Sequence, residues 1–361
     1  MSNEADLEAA RALLEAYRAR ADTRLAEILD AEVEAAKALP FQTARYLALL
    51  HDYALRGGKR LRGALVLVGY EAAAGEDGPE REGKAFEASL AFELLHASLL
   101  ACDDWMDRDE LRRGGPALHV AAAAEAKRRR SADAAHRGAS IAILLGMLAH
   151  QEAFRCLERA QASLTARAYF DQVTRDVVIG QLLDVTASDA ARASSAEVRE
   201  IERLKTGVYT TEGPLVFGAL LAGAHLEGEV VAALRAFAGP LGEAYQLVDD
   251  LLGAVGDPRD TGKPAGRDLE EGKHTAVVEE AVRRLPAEAR ARLLALIGRP
   301  LDPAEAREAT SLLVESGAGA AVRARARELA ACARRTLGPP LEAAAAGKLG
   351  WLASLVAERH N

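Results

Sequence analysis

Apolar residues recur at every third or fourth position along most of the chain, as in LLEAYRARADTRLAEIL and VVAALRAFAGPLGEAYQLV. That spacing puts the apolar side chains on one face of an α-helix. The strong helix formers Ala, Leu, Glu and Arg dominate, whereas the alternating β-branched segments typical of strands are nearly absent. The sequence therefore predicts an all-α, multi-helix bundle.

Clusters of glycine and proline interrupt this pattern at four places: 56–60, 75–83, 112–116 and 256–266. None of them is a long flexible linker. We therefore predict a single domain, with the residues that carry chemistry lying between positions 57 and 275.

Composition and charge exclude several classes of protein. The 361 residues are 50% apolar, and 46 basic against 54 acidic residues give a net charge of −8, which argues against a general nucleic-acid binder. The basic run Lys127–Arg130 is an exception, and we interpret it as a solvated loop or helix end. Three cysteines without a CxxC pair, no signal-peptide pattern and no transmembrane segment predict a cytoplasmic protein.

The first candidate site is acidic and follows an apolar helix, in LLACDDWMDRDELRRGGPALH (99–119). Asp103 and Asp107 are one helical turn apart and share a face, so the two carboxylates could bind a hard cation such as Mg²⁺. Asp104 points about 100° away, which favours a supporting role. A lone DDxxD pattern also occurs on solvated acidic helices and does not settle the function.

A second acidic segment, YQLVDDLLGAVGDPRDTGKPAGRDLEEGKHT (245–275), repeats the arrangement. Asp249 and Asp250 end an apolar stretch, and Lys263 and Lys273 follow in the loop. Two further cationic segments, RGGKRLRGAL and RLKTGVY, lie elsewhere in the chain. Two acidic helix ends with cations beside them predict a site for a polyanion that is held through metal.

Together these segments resemble the polyprenyl synthetase family, the trans-isoprenyl diphosphate synthases. The matching segments GGKRLR, LLHASLLACDDWMDRDELRRGGPALH, GQLLD, LKTG and YQLVDD…GKPAGRDLEEGKHT occur in the family's order. The resemblance implies an all-helical fold of the isoprenoid synthase type around a deep central cavity. In that family the two acidic motifs face each other across the cavity and hold Mg²⁺ on an allylic diphosphate.

The resemblance also assigns roles by position. The implied ligands of Mg²⁺ are Asp103, Asp107 and Asp249. The implied contacts to the allylic diphosphate are Arg112, Lys205 and Lys263. The implied pocket for isopentenyl diphosphate consists of Lys59, Arg62, His96 and Arg113. Thr206 and Gln246 would place dipoles beside a developing carbocation, and Lys273 would complete the closing loop.

The implied activity is a Mg²⁺-dependent prenyl transfer. An allylic diphosphate (dimethylallyl, geranyl or farnesyl) would condense with isopentenyl diphosphate to give an all-trans prenyl diphosphate, and the resemblance also implies a homodimer. A terpene cyclase would carry an Asn/Ser/Glu metal triad that VDDLLGAVGD does not supply. A non-catalytic subunit of a heteromeric synthase would be expected to lose the acids or the basic clusters, and both remain.

Product length is predicted from the helix that ends at Asp103. Relatives that release short products carry bulky aromatics four and five residues before the first aspartate, where this chain has Leu99 and Ser98. Phe92 is the first large ring on the same stripe, about 16 Å along the helix axis. Either Phe92 forms the floor of the channel or it is ordinary core packing. As a floor it predicts geranylgeranyl diphosphate, with farnesyl or longer products as alternatives.

Three positions depart from the family's pattern. Gly253 stands where relatives often carry the third aspartate of the second acidic motif, so that carboxylate is lost. Met147 replaces a common aspartate, and Gly63 replaces a common proline. We interpret the last two as structural variation.

Overall fold

The computed structural model describes residues 2–74, 78–187, 197, 200–201, 203–255, 269 and 275–358. The helices of the first half are α1 (Ser2–Ala36), α2 (Thr43–Leu55), α3 (Leu61–Ala74), α4 (Pro79–Met106), α5 (Leu118–Arg128), α6 (Ala134–Arg159) and α7 (Leu164–Ala187). A π-helix (Arg203–Glu212) is followed by α8 (Gly213–Leu221), α9 (Glu229–Val255), α10 (Ala276–Arg284), α11 (Ala287–Leu296), α12 (Pro303–Glu315), α13 (Ala318–Arg335) and α14 (Ala343–Ala357). The described strands are β1 (Leu111–Arg112) and β2 (Gly115–Pro116), which pair as an antiparallel hairpin. The all-α prediction is confirmed.

Local sequence explains where several helices begin. The Asp133 side chain accepts a hydrogen bond from the backbone N–H of His136 and caps α6. Asp302 and Glu305 form a reciprocal capping box at the start of α12, with Pro303 at the first helical position. These caps satisfy backbone N–H groups that have no partner within the helix.

Helix α4 is the central element of the core. Leu90, Phe92, Leu94 and Leu95 are almost fully buried, and α4 packs against α3 and α6. Among the described helices α4 alone is long and apolar enough to cross a membrane, and 67% of its most apolar window is buried inside the protein. That burial is what a core helix requires.

The main hydrophobic cluster draws on both ends of the chain, from Ala10 in α1 to Val356 in α14. A smaller cluster joins the end of α9 to α10, α11, α12 and α13. The main cluster fixes the end of α4, on which the first acidic motif lies.

Candidate active site

The first acidic motif lies at the carboxyl end of α4. Asp107 caps the helix, and its backbone N–H donates to the Asp103 carbonyl at 2.8 Å. The side chains of Asp103 and Asp107 are both half-buried. The helix therefore carries the two carboxylates one turn apart.

Lys205 lies among three carboxylates. Its Nζ is 2.6 Å from Asp184 Oδ2 and 3.3 Å from Asp103 Oδ1. Burial alone would lower the pKa of Lys205, but the charges of Asp103, Asp184 and Asp107 outweigh burial and raise it. The lysine is therefore an ammonium ion that faces the end of α4.

A glycine in α7 allows the π-helix to approach closely enough to place Lys205 there. A Cβ atom at Gly180 would lie 2.5 Å from the backbone nitrogen of Lys205, so any larger residue would push the two segments apart. π-Helical turns are rare and frequently occur at functional sites. The GQLLD segment thus contributes both Gly180, for the approach, and Asp184, as a partner of the lysine.

The donor set around Lys205 suits a divalent cation. Three carboxylates and one ammonium leave an excess of negative charge, and carboxylate oxygens are ligands that Mg²⁺ prefers. Among the residues that the structure describes, no three His, Cys, Asp or Glu side chains converge on one point. The carboxylates of Asp103 and Asp107 fit Mg²⁺ by their chemistry, because this ion takes few protein ligands and completes its octahedron with water and phosphate oxygens.

Asp104 has a different environment from its neighbours. It is fully buried and accepts hydrogen bonds from Tyr53 Oη at 2.7 Å and from Arg112 Nε at 2.6 Å. Arg112 also donates to Asp109 at 3.1 Å. Burial raises the pKa of Asp104 although Arg112 opposes the shift. Asp104 therefore holds Arg112, which lies in the β1–β2 hairpin.

Arg112 itself lies between carboxylates. Its Nη2 is 3.9 Å from Asp103 Oδ2, and its other hydrogen bonds go to Asp104 and Asp109. The side chain is only 18% exposed. The guanidinium is thus held next to the first acidic motif.

A second cationic group lies next to this motif, around His96. Arg113 Nη2 is 3.2 Å from His96 Nε2, and Arg113 Nη1 donates to the Gly57 carbonyl at 3.0 Å. A small pocket adjoins this pair. Its lining residues include Tyr53, Arg60, Glu93, His96, Arg112 and Arg113.

Arg62 reaches the same region from α3. Its guanidinium lies 4.3 Å over the ring of Tyr209, and its Nη2 donates to Thr210 Oγ1 at 2.9 Å. The Nε atom of Arg62 is buried without a hydrogen-bond partner. A buried donor of this kind is costly unless a ligand satisfies it. Lys59, in the segment before α3, is exposed.

Burial and the surrounding arginines hold the pKa of His96 well below its ordinary value. The folded protein thus keeps this imidazole neutral at a pH where the unfolded chain already binds a proton. Stability that depends on the neutral form is present above about pH 6.5 and is lost as the pH falls below it.

We therefore expect the wild-type protein to lose stability as the pH falls below about 6.5, and His96→Gln to lose less. One proton corresponds to a slope of about 1.4 kcal/mol per pH unit. The measurement is urea unfolding of both proteins at several pH values. Because the pKa values of His119 and His150 are also lowered, only the difference between the two proteins reports on His96. Parallel pH profiles would contradict the assignment.

The second acidic motif lies at the carboxyl end of α9, which packs against the π-helix. Asp249 is exposed, whereas Asp250 is buried and accepts from Gln246 Nε2 at 2.6 Å and from the Ala276 backbone N–H at 3.2 Å. Gln246 Oε1 is buried without a hydrogen-bond partner, and Thr206 is half-buried in the π-helix. The predicted residues Lys263 and Lys273 lie outside the described residues.

The predicted chain-length residues lie in the interior of α4. Phe92 is fully buried, with ring centroids 5.2 Å from Phe170 and 5.4 Å from Phe217. Ser98 is buried and Leu99 is half-buried. Phe92 is thus part of an aromatic cluster formed by helices α4, α7 and α8.

Sequence reasoning missed three residues of this site. Asp184 ends the GQLLD segment, which was matched as a motif but whose aspartate was given no role. Tyr53 and Tyr209 lie in or next to matched segments, but an isolated tyrosine carries no signal of a buried hydrogen bond or of a cation–π contact. Only the fold brings them to the site.

These features define an all-helical protein in which a carboxylate-rich site adjoins a group of cationic side chains. The polyprenyl synthetase family model matches residues 44–313. The chain is 32% identical to geranylfarnesyl diphosphate synthase of Aeropyrum pernix over 84% of this chain and 91% of the relative. It is 34% identical to geranylgeranyl diphosphate synthase of Sulfolobus acidocaldarius, but that match covers only 62% of each chain.

A solved structure agrees with this result. Geranylgeranyl pyrophosphate synthase from Corynebacterium glutamicum, complexed with isoprenyl diphosphate and magnesium, superposes with a TM-score of 0.87 at 31% identity, covering 96% of this chain and 99% of that one. The chain belongs to the polyprenyl synthetase family and is an enzyme of the prenyltransferase class. The predicted family and enzyme class are confirmed.

Proposed function

We propose that the protein condenses an allylic diphosphate with isopentenyl diphosphate in a Mg²⁺-dependent reaction. The observation that carries this proposal is the grouping of Asp103, Asp107 and Asp184 around Lys205, next to the Arg62–His96–Arg113 group. The group of carboxylates around Lys205 suits a diphosphate that is bound through a metal ion. The cationic group suits a diphosphate that is bound directly. The two adjacent groups therefore fit two diphosphate substrates.

Different residues of the chain would bind the metal ion, hold the allylic diphosphate and stabilise the positive charge. When bound at Asp103, Asp107 and Asp249, Mg²⁺ would supply electrostatic stabilisation of the departing diphosphate. Lys205 and Arg112 would hold the allylic diphosphate, and Lys205 faces the place where negative charge develops. Gln246 and Thr206 would offer oxygen dipoles to positive charge on the allylic carbon. The proposed roles of Lys263 and Lys273 on the closing loop rest on the family's pattern alone.

The second substrate would bind in the other group. Arg62, Arg113 and Lys59 would contact the isopentenyl diphosphate, with the Arg62 Nε donor supplying one hydrogen bond. Neutral His96 accepts from Arg113 and so fixes that guanidinium. Cleavage of the allylic C–O bond would release diphosphate and leave an allylic cation. The double bond of isopentenyl diphosphate would then form a C–C bond to that cation, and the resulting carbocation would lose a proton to the released diphosphate.

Two substitutions distinguish the proposed site for the allylic diphosphate from the proposed site for isopentenyl diphosphate. Arg62→Ala is expected to raise the apparent KM for isopentenyl diphosphate about 10-fold or more with a smaller change in kcat, because Arg62 binds the substrate in ground and transition states alike. Lys205→Ala is expected to lower kcat by about 100-fold, because the lysine faces the leaving group. Steady-state kinetics with each substrate varied in turn measures both. If Lys205→Ala changed only the KM for isopentenyl diphosphate, the assignment would be reversed.

We propose geranylgeranyl diphosphate as the main product. Two of the three relatives named above make geranylgeranyl diphosphate by name, whereas the Aeropyrum pernix relative is a geranylfarnesyl diphosphate synthase. The absence of an aromatic ring at Ser98 and Leu99 also supports a product longer than the shortest ones. Phe92, Phe170 and Phe217 form a buried aromatic cluster farther along α4, which would close the channel if the chain reaches it. Plain core packing explains Phe92 equally well. Chromatographic sizing of the products is the test: a dominant farnesyl product, or one longer than geranylgeranyl, would contradict the proposal.

We also propose that the whole chain forms one domain, assembles as a homodimer and resides in the cytoplasm. Helices α1 and α14 share the main core, which supports one domain. The cysteines Cys102, Cys156 and Cys332 are all free, as expected in a reducing compartment. The homodimer rests on the family's pattern, and light scattering of the purified protein tests it.

A further inference from the structure

The turn between α1 and α2 exposes two large apolar side chains. In this segment, residues 37–42 and here called the Phe41 turn, Phe41 is 84% exposed and Leu39 is 54% exposed. Phe41 and Gln42 have φ angles of 59° and 57°, which non-glycine residues adopt rarely and at a cost. Arg129 holds this backbone in place, since its Nη1 donates to the Phe41 carbonyl at 2.9 Å. The fold thus keeps a phenylalanine ring in water.

Arg45 and Arg129 contact this turn through hydrogen bonds to Gln42 and to the Phe41 carbonyl, and further basic residues flank Arg129 in sequence. The basic cluster consists of Arg45, Lys127, Arg128, Arg129 and Arg130. Three of them share one carboxylate: Glu125 lies 3.3 Å from Arg45, 2.6 Å from Arg128 and 3.3 Å from Arg129.

The charges of the cluster do not cancel. Lys127 and Arg130 are exposed at the end of α5. Lys37, within the turn, pairs with Glu34 and adds no net charge. The five cations of the cluster, set against Glu125 and against Asp133 at the start of α6, leave a positive excess on a chain whose net charge is −8. The surface around the Phe41 turn is therefore positive, in contrast to the protein as a whole.

We propose that the Phe41 turn and the basic cluster dock the protein on an anionic lipid bilayer. An exposed ring can enter the boundary between headgroups and acyl chains, and clustered cations are attracted to anionic headgroups. Either signal alone binds weakly, whereas the two together give reversible attachment. A nucleic acid would also bind the cations, but its binding would not require the exposed side chains of Leu39 and Phe41.

The position of the turn relative to the site is consistent with this role. Helix α2 runs from the turn to Tyr53, which donates to Asp104 beneath the first acidic motif. Ten residues of helix span about 15 Å. A docked turn would keep the site close to a bilayer into which a long prenyl chain partitions. The transfer of a prenyl chain into the bilayer rests on the proposed function, whereas binding of the turn to the bilayer requires neither substrate nor turnover.

The test is co-sedimentation of the purified protein with vesicles of phosphatidylcholine plus phosphatidylglycerol, against vesicles of phosphatidylcholine alone. We expect binding to the anionic vesicles only, weakened by salt. Phe41→Ser should weaken it about 10-fold through lost apolar burial. Arg128→Gln combined with Arg130→Gln should weaken it by about 10-fold or more. Leu164→Ser removes an equally exposed side chain, 85% exposed, outside the cluster and should change nothing.

Several outcomes would overturn the proposal. One is equal sedimentation of the wild type, Phe41→Ser and Leu164→Ser. Another is binding to both kinds of vesicle alike. If Phe41→Ser lowered the molar mass in light scattering without vesicles, the turn would instead be a contact between copies of the chain. If Phe41→Ser melts at a lower temperature than the wild type, Leu39→Ser replaces it as the test of the apolar contact. Prenyltransferase activity measured in buffer without vesicles tests the proposed function separately.

Discussion

Asp103→Ala is expected to reduce turnover by at least about 1,000-fold, equivalent to about 4 kcal/mol of transition-state stabilisation. The residue is a proposed metal ligand and lies 3.3 Å from Lys205. Its removal would weaken metal binding and also leave Lys205 with one carboxylate fewer. The carboxylates repel one another, so the fold itself should not suffer. The measurements are the initial rate of diphosphate release with saturating substrates and a circular dichroism melt.

Glu110→Ala is the matched control, because Glu110 is an exposed acid in the same acidic stretch. It should retain nearly full activity, which would show that the loss in Asp103→Ala is not a general effect of removing negative charge. Comparable activity of Asp103→Ala and wild type, with unchanged melting, would remove Asp103 from the site.

Asp104→Ala should lower the free energy of unfolding by about 3–5 kcal/mol, the cost of stranding a buried charged partner. Arg112 would lose its buried carboxylate and Tyr53 its acceptor. Tyr53→Phe removes only one hydrogen bond, so a loss of about 1–3 kcal/mol is expected. Urea unfolding of the substrate-free proteins measures both values.

Asp52→Ala is the control, because it removes an acidic side chain that is 69% exposed and lies on the same helix as Tyr53. It should change stability by less than about 0.5 kcal/mol. An Asp104→Ala protein that unfolds at the wild-type urea midpoint would show that the Tyr53–Asp104–Arg112 network does not hold the hairpin in place.

The helical repeat and the order of the motifs were sufficient to predict the fold class and the family. The period of the α-helix also separated Asp103 and Asp107 from Asp104, and the structure does give Asp104 different partners. Such inferences succeed because residues within one helix have a fixed geometry.

Contacts between distant segments were beyond that reasoning. Asp184 meets Lys205 only because Gly180 lets α7 and the π-helix approach each other. Gly63 shows the same limit. A Cβ atom there would lie 1.8 Å from Tyr17 Oη, so the departure from the common proline accommodates a tyrosine from α1. Neither partner is adjacent in sequence, and no periodicity predicts which pairs of helices touch.

The most direct test of the central claim is incorporation of labelled isopentenyl diphosphate into prenyl diphosphate by the purified protein. Farnesyl diphosphate serves as the primer, and parallel reactions contain Mg²⁺ or an excess of EDTA. The proposed function predicts a longer prenyl diphosphate and stoichiometric release of diphosphate with Mg²⁺, with both abolished by EDTA and restored by added Mg²⁺. No elongation with dimethylallyl, geranyl or farnesyl primers in the presence of Mg²⁺, from a protein that melts cooperatively, would contradict it.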